Sequence, residues 1–222
     1  MTSILLDVYQ RLFDAFGPQH WWPGQTPFEV LIGAVLVQNT SWKNVEKAIA
    51  NLREADLLDA RALYGVPGEE LEELIRPAGY YRVKARRLRN LLRWLVERYD
   101  GSLEQMFQTD LATLREDLLR VNGVGPETAD SILLYAGGLP TFVVDTYTHR
   151  VLARHGWIEF EADYHAIQEY FESGLQRDAA MYNEYHALLV RLGHLHCRKT
   201  PRCEGCPLAA LLPEGGPREP DF

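Results

Sequence analysis

An all-α fold follows from three features of this 222-residue chain. Apolar side chains recur at three- and four-residue intervals along most of its length, the spacing that gives a helix one buried face. Short connections containing Gly and Pro join the periodic segments, as suits helices packed on helices. The one β-branched run, Thr141 to Val144, is too short for a sheet.

The elements follow in order. Ile4, Leu5, Val8, Leu12 and Phe16 share a helical face. The start is not basic, and Asp7, Gln10 and Arg11 break the apolar run, so this reads as an amphipathic helix and not a secretion signal. Phe28, Leu31, Ile32 and Val35 predict a helix over Thr26 to Val37. Val45, Ala48, Ile49 and Leu52 predict the next, over Trp42 to Leu52. A short helix over Glu69 to Ile75 is ended by Pro77 and Gly79. Leu88, Leu91, Leu92 and Leu95 give the stretch Arg82 to Arg98 a buried face. Helices over Leu111 to Val121 and Pro126 to Tyr135 flank a Gly123-Val124-Gly125 turn. Helices over Thr146 to His155, Tyr164 to Leu175 and Met181 to His194 complete the set. From Pro207 onward Pro and Gly predict irregular structure.

Hydrophobic residues make up 46% of the chain, an ordinary share for a globular protein able to bury a core. No window approaches 18 uninterrupted apolar residues, which predicts no transmembrane helix, no membrane partner and an intracellular, cytoplasmic location. The net charge of −8 has the wrong sign for a nucleic-acid partner. Charge is local, however. Arg82, Lys84, Arg86, Arg87, Arg89, Arg93 and Arg98 crowd one segment against a single acid, Glu97. That run is either a solvated helix face or a phosphate-facing edge, and the hairpin favours the second.

In that hairpin, Gly123 and Gly125 permit backbone conformations that a Cβ would obstruct. Pro126 at a first helical position leaves the next amides pointing outward, and such a helix mouth attracts anions, phosphate above all. Asp145 follows 20 residues after Gly125, at the start of another helix. By itself it reads as an N-cap.

Together these segments carry a resemblance. V-x-G-V-G-x-x-T-A-D over 121–130, a Gly/Pro-containing loop, and V-D-T-x-x-x-R over 144–150 resemble the signature of the helix-hairpin-helix DNA glycosylase superfamily of base-excision repair, in its endonuclease III branch. The resemblance runs from about Trp21 to Cys206. It implies a two-lobed helix-hairpin-helix glycosylase fold with a C-terminal metal-cluster loop. Residues 21–131 would form a six-helix lobe ending in the hairpin, and 1–20 with 132–222 the second lobe. It also implies a monomer acting on duplex DNA with a damaged base, held at the backbone by the amides of Gly123 and Gly125. Asp145 falls at the family's essential Asp. Cleaving an N-glycosidic bond builds positive charge on the sugar, which a fixed carboxylate stabilises while orienting or deprotonating a water.

A narrower resemblance concerns the base. Trp21-Trp22-Pro23, then F-E-x-L-x-G-A-x-L-x-Q-N-T over 28–40, then Trp42, are similar to the 3-methyladenine DNA glycosylase III subgroup. There these positions line the base pocket, so Trp21, Trp22, Pro23 and Trp42 are expected to do so here. The plainer reading is core aromatics or a staple ahead of a helix. An alkylated purine is a cationic base on a weakened bond, and indole faces attract such a cation. The resemblance makes Gln38 the residue that fills the gap left by the extruded nucleotide.

Two departures from the family pattern matter. Bifunctional members carry a Lys where Glu127 stands, and no Lys lies between Lys84 and Lys199. An amine is required to attack the sugar and start strand cleavage. The chain is therefore expected to be a monofunctional glycosylase, Lys199 being a poor substitute beside the cysteines. The second departure concerns Cys197, Cys203 and Cys206, in a C-x5-C-x2-C pattern that reads as metal binding and not as a disulfide framework. The family pattern, Cys-x6-Cys-x2-Cys-x5-Cys around a [4Fe-4S] cluster, is here one residue shorter and has Leu212 in the fourth place. Three outcomes stay open: a cluster with a non-Cys fourth ligand such as Asp221, Glu214 or His196, zinc on three Cys with His194 or His196, or no metal. Cys-x2-Cys followed by Pro207, and the basic Arg198, Lys199 and Arg202, favour the cluster. The resemblance implies that those three cations meet DNA phosphates. Two rival functions remain: an endonuclease III-type glycosylase with lyase activity on oxidised pyrimidines, and a non-catalytic binder of damaged DNA.

Overall fold

A computed structural model describes residues 4–220; Asp221, one candidate ligand, lies outside them. Among the described residues the chain is helical, with no strand. The α-helices are α1 (Ile4–Phe16), α2 (Pro27–Leu36), α3 (Trp42–Glu54), α4 (Ala60–Gly65), α5 (Gly68–Leu74), α6 (Tyr81–Tyr99), α7 (Leu103–Phe107), α8 (Leu111–Leu119), α9 (Pro126–Ser131), α10 (Thr146–Arg154), α11 (Tyr164–Gly174) and α12 (Ala179–Leu195). No described helix is long and apolar enough to cross a membrane. Helices α4 and α7 are absent from the sequence reading, because one or two turns carry too little periodicity. Their caps are nevertheless local: Asp59 accepts from Arg61 N and Ala62 N, and Ser102 accepts from Gln105 N.

The chain divides into two compact units, Trp22–Leu139 and Met1–Trp21 with Pro140–Phe222. The first runs past residue 131, where the resemblance drew its boundary, and Ile132 and Leu133 are fully buried in its core. Helix α6 is central to that unit. Its Leu88, Leu91, Leu92 and Leu95 are fully buried and pack with residues of α2, α4, α5 and α7.

Packing also sorts the basic run on α6. Arg87 bonds Gln38, Arg89 bonds the Val66 carbonyl, and Arg98 pairs with Asp117. Lys84 is buried, its Nζ donating to the Ala78 carbonyl at 2.7 Å. Arg82 is exposed and lies 3.7 Å from Glu72, while Arg86 and Arg93 are exposed with no side-chain partner among the described residues.

Burial, helped by the nearby Arg87 charge, lowers the Lys84 pKa to about 8. Below that pH the folded chain must bury an ammonium that the unfolded chain hydrates freely. From about pH 8 up to the ordinary lysine value, the unfolded chain binds more protons, so this group makes stability rise with pH. Urea midpoints measured at pH 7.5 and pH 9.5 are expected to show wild type gaining on K84M. Equal changes in the two proteins would refute the assignment.

The second unit is built on α10 and α12, with α1 laid along α12. Tyr185 on α12 donates to the Leu5 carbonyl at 2.9 Å, fastening α1. Gly193 on α12 lets the Tyr147 ring of α10 come into direct contact, where a Cβ would collide with it.

Candidate active site

In the unit 22–139, the hairpin is α8, the turn 120–125 and α9. Arg115 on α8 grips Asp130 on α9 with two bonds, Nε to Oδ1 at 2.7 Å and Nη2 to Oδ2 at 3.0 Å, and Asp130 is fully buried. Gly123 has φ +101, and a Cβ there would also drive into the Arg87 side chain. Gly125 is different: it is extended and exposed, with open space where a Cβ would stand. The structure also places Gln38 on this hairpin. Its Nε2 donates to the Gly123 carbonyl at 3.2 Å and to Thr128 Oγ1 at 2.9 Å, and its Oε1 accepts from Arg87 at 2.5 Å. One end of the amide thus holds the hairpin and the other holds Arg87 of α6.

The same unit gathers an aromatic cluster. Trp22 stacks on Tyr135, centroids 4.9 Å apart, and meets Trp42 edge-on at 5.0 Å. Gly33 on α2 makes room, since a Cβ there would lie 3.0 Å from the Trp42 ring. Trp42 Nε1 is buried and has no acceptor among the described residues. Tyr135 was missed in the sequence, where it looked like the end of an ordinary helix. Its segment, Ile132–Ala136, is a π-helical turn continuing α9, a feature frequent at functional sites. Pro23 is exposed. Trp21 belongs to the other unit, its ring 6.4 Å from that of His186.

In that other unit, Asp145 caps α10, Oδ1 accepting from Thr148 N at 2.7 Å. Oδ2 has no partner among the described residues. What delivers it is an extended strap over 141–144 that pairs with no strand. Its polar groups are met instead by side chains of α11 and α12. Glu172 accepts from Phe142 N at 2.8 Å, Gln168 donates to Phe142 O at 2.8 Å, and Tyr164 OH accepts from Val144 N at 3.4 Å. His186 Nδ1 bonds the Val143 carbonyl at 2.9 Å. The Phe142 ring stacks on Phe171 at 3.8 Å and is fully buried. No pattern in the sequence marks these four residues, because their partners lie 20 to 43 positions away.

Next to Asp145 a polar cavity is lined by Thr146, Tyr147, Arg150, His194, Arg198 and Lys199. Arg150 lies over the Tyr147 ring and donates to the Cys197 carbonyl at 3.1 Å. Arg198 and Lys199 are exposed, as is Arg202. This is an electropositive pocket suited to an anion.

A second cavity holds all three cysteines, with Arg154, His155, His196 and Leu212 also in its wall. Arg154 is buried and its guanidinium spans the loop. It lies 3.6 Å from Cys197 Sγ, donates to the Arg198 carbonyl at 2.6 Å and the Lys199 carbonyl at 2.8 Å, and pairs with Glu219 at 3.1 Å. Burial raises the Cys197 thiol pKa, with Arg154 opposing; burial also raises that of Cys206. Among the described residues no three of His, Cys, Asp and Glu are spaced to share a single metal ion. Three thiols around one cavity, beside a buried cation, fit a cluster that assigns one iron to each thiolate. Leu212 lines the place of a fourth thiolate and has no donor atom. Of the other proposed fourth ligands, His196 is in the wall, with Nδ1 on the Arg202 carbonyl at 3.1 Å. Glu214 is exposed and not in the wall, because the chain turns away through Gly215 and Gly216 before Arg218 N rejoins the Arg154 carbonyl. His194 lines the polar cavity instead.

Comparison with known proteins bears on this arrangement. Residues 32–177 match the family described as HhH-GPD superfamily base excision DNA repair protein. A Methanocaldococcus jannaschii protein, provisionally assigned as a DNA repair glycosylase, is 50% identical over 208 residues, covering 93% of this chain and 94% of that one. A non-covalent endonuclease III–DNA complex superposes with a TM-score of 0.81 at 28% identity, covering 95% of this chain and 94% of the other. The H. pylori 3-methyladenine DNA glycosylase bound to 1,N6-ethenoadenine does so at 0.75 and 30% identity, covering 86% and 97%. The chain belongs to the HhH-GPD superfamily of base-excision repair and is a helix-hairpin-helix DNA glycosylase of the endonuclease III-like branch.

Proposed function

We propose that this glycosylase hydrolyses the N-glycosidic bond of alkylated purines of the 3-methyladenine type in duplex DNA, leaving an intact abasic site. The observation that carries the substrate class is the aromatic cluster of Trp22, Tyr135 and Trp42. Electron-rich ring faces attract a cationic purine and discriminate against neutral bases by charge. A base that already departs readily needs no strong acid to protonate it. The buried Trp42 Nε1 offers a hydrogen bond to an acceptor on the flipped base. Pro23, next to Trp22 in the chain, borders the pocket in this reading. The H. pylori relative, bound to a modified purine, supports it.

Asp145 supplies the charge that matters. Its capped Oδ1 fixes the carboxylate, and Oδ2 is free to face the sugar as positive charge develops or to orient the attacking water. Gly123, Gly125 and the amides at the mouth of α9 hold one phosphate; Arg198, Lys199 and Arg202 meet others. Gln38 fills the gap left by the flipped nucleotide by leaving Gly123 and Thr128. Cys197, Cys203 and Cys206 hold a [4Fe-4S] cluster, which fixes the basic loop and takes no part in the hydrolysis. The protein acts as a monomer.

Glu127 at the family's lysine position supports water as the nucleophile. Methylated duplex DNA is therefore expected to release free 3-methyladenine, resolved by chromatography, without strand scission. Borohydride should trap no covalent adduct. An adduct, together with release of oxidised pyrimidines only, would establish the endonuclease III-type alternative.

A further inference from the structure

The cysteine cavity contains one group that the sequence does not single out. His155 follows Arg154 at the end of α10 and is 8% exposed. Its Nδ1 sits 2.7 Å from the Val151 carbonyl, one turn back, and its ring stacks on Trp157 at 4.5 Å. The carbonyl can only accept, so Nδ1 carries the proton and Nε2 carries the lone pair. Nε2 is buried and has no hydrogen bond of good geometry, although the main chain of Leu208, two residues past Cys206, lies within polar reach of the ring. A ring held through Nδ1–H by a backbone carbonyl, with a bare Nε2, is the usual state of a metal-binding histidine. The His155 ring shares its cavity wall with Cys197, Cys203 and Cys206.

We propose that His155 Nε2 is the fourth protein ligand of the metal centre, making a Cys3His set with Cys197, Cys203 and Cys206. This rests on the cluster reading above and replaces the fourth cysteine whose place is held by Leu212. A cubane gives each ligand its own iron, so the four donors need not converge on one point as they must for zinc. His196 is the weaker claimant because it is less buried. An imidazole ligand in place of a thiolate also removes one negative charge from the centre and raises its reduction potential, as histidine ligation does in other iron–sulfur centres.

The test uses the full chain purified without exposure to oxygen. Iron, sulfide and zinc are measured first, and the dithionite-reduced protein is then examined by pulsed EPR for a 14N ligand coupling. Wild type should hold iron and sulfide and show the coupling. His155→Cys should keep the cluster, lose the coupling and shift the reduction potential downward, while His196→Asn should keep both coupling and potential. Should His155→Cys fail to fold, the His196→Asn variant still decides: loss of the coupling there overturns the assignment. A cluster with no nitrogen coupling in wild type, or one whose coupling survives in His155→Cys, overturns it too. Zinc with three sulfurs and one nitrogen by X-ray absorption, the nitrogen lost in His155→Cys, would uphold the ligand set and defeat the cluster reading. Absence of both metals defeats the two together.

Discussion

Replacing Asp145 with Asn is expected to slow base release from methylated duplex DNA by about 10²–10⁴-fold, the range for losing a positioned charged or acid–base group. Asn caps a helix about as well as Asp, so its amide oxygen can still accept from Thr148 N and hold the start of α10. The change thus removes charge without removing structure. Single-turnover release, measured beside DNA affinity and far-UV circular dichroism, separates these effects. Affinity within a few-fold of wild type, with release nearly abolished, is the anticipated pattern. A variant that releases base at more than about a tenth of the wild-type rate would move the catalytic role elsewhere. If wild type and variant both bind and neither releases any base, the catalytic reading of the site fails.

The second large effect is on stability. Arg115→Ala would leave the Asp130 carboxylate, fully buried, without its bidentate partner. Breaking a buried ion pair from one side costs about 3–5 kcal/mol, which for a chain of this size lowers Tm by on the order of 10 °C. Arg115→Met with Asp130→Leu removes the stranded charge and should recover much of the loss. Thermal and urea unfolding of the three proteins checks this. A single variant within about 0.5 kcal/mol of wild type would mean that the hairpin does not depend on this clamp.

Much of this molecule is written locally in the chain. Helices α2, α8, α10, α11 and α12 each begin at a Thr or Asp whose side chain accepts an amide three positions on, and such caps are readable from neighbouring residues. So is Gly123, whose positive φ a turn between two periodic segments demands. Trp22 and Trp42 were also recoverable, through a motif. Their partner Tyr135 was not, because only the π turn at the end of the hairpin helix brings that ring to Trp22. Lys84 shows the opposite failure. In the sequence it counts as one more cation on a basic face, whereas in the fold it is buried on the Ala78 carbonyl.

The division has a physical cause. Helix periodicity, capping and turn glycines depend on residues three or four apart, so the order of side chains alone dictates the helical architecture, the hairpin and the presence of a capped Asp145. The strap over 141–144 depends on Glu172, Gln168, Tyr164 and His186, 20 to 43 positions away. Arg154 reaches Cys197 across 43 positions and Glu219 across 65. Contacts of that span leave no periodic trace, and they exist only once packing has excluded water and left each buried polar group to find a partner. How the carboxylate is held, which cations remain free and which nitrogen enters the cysteine cavity were therefore settled by folding in three dimensions.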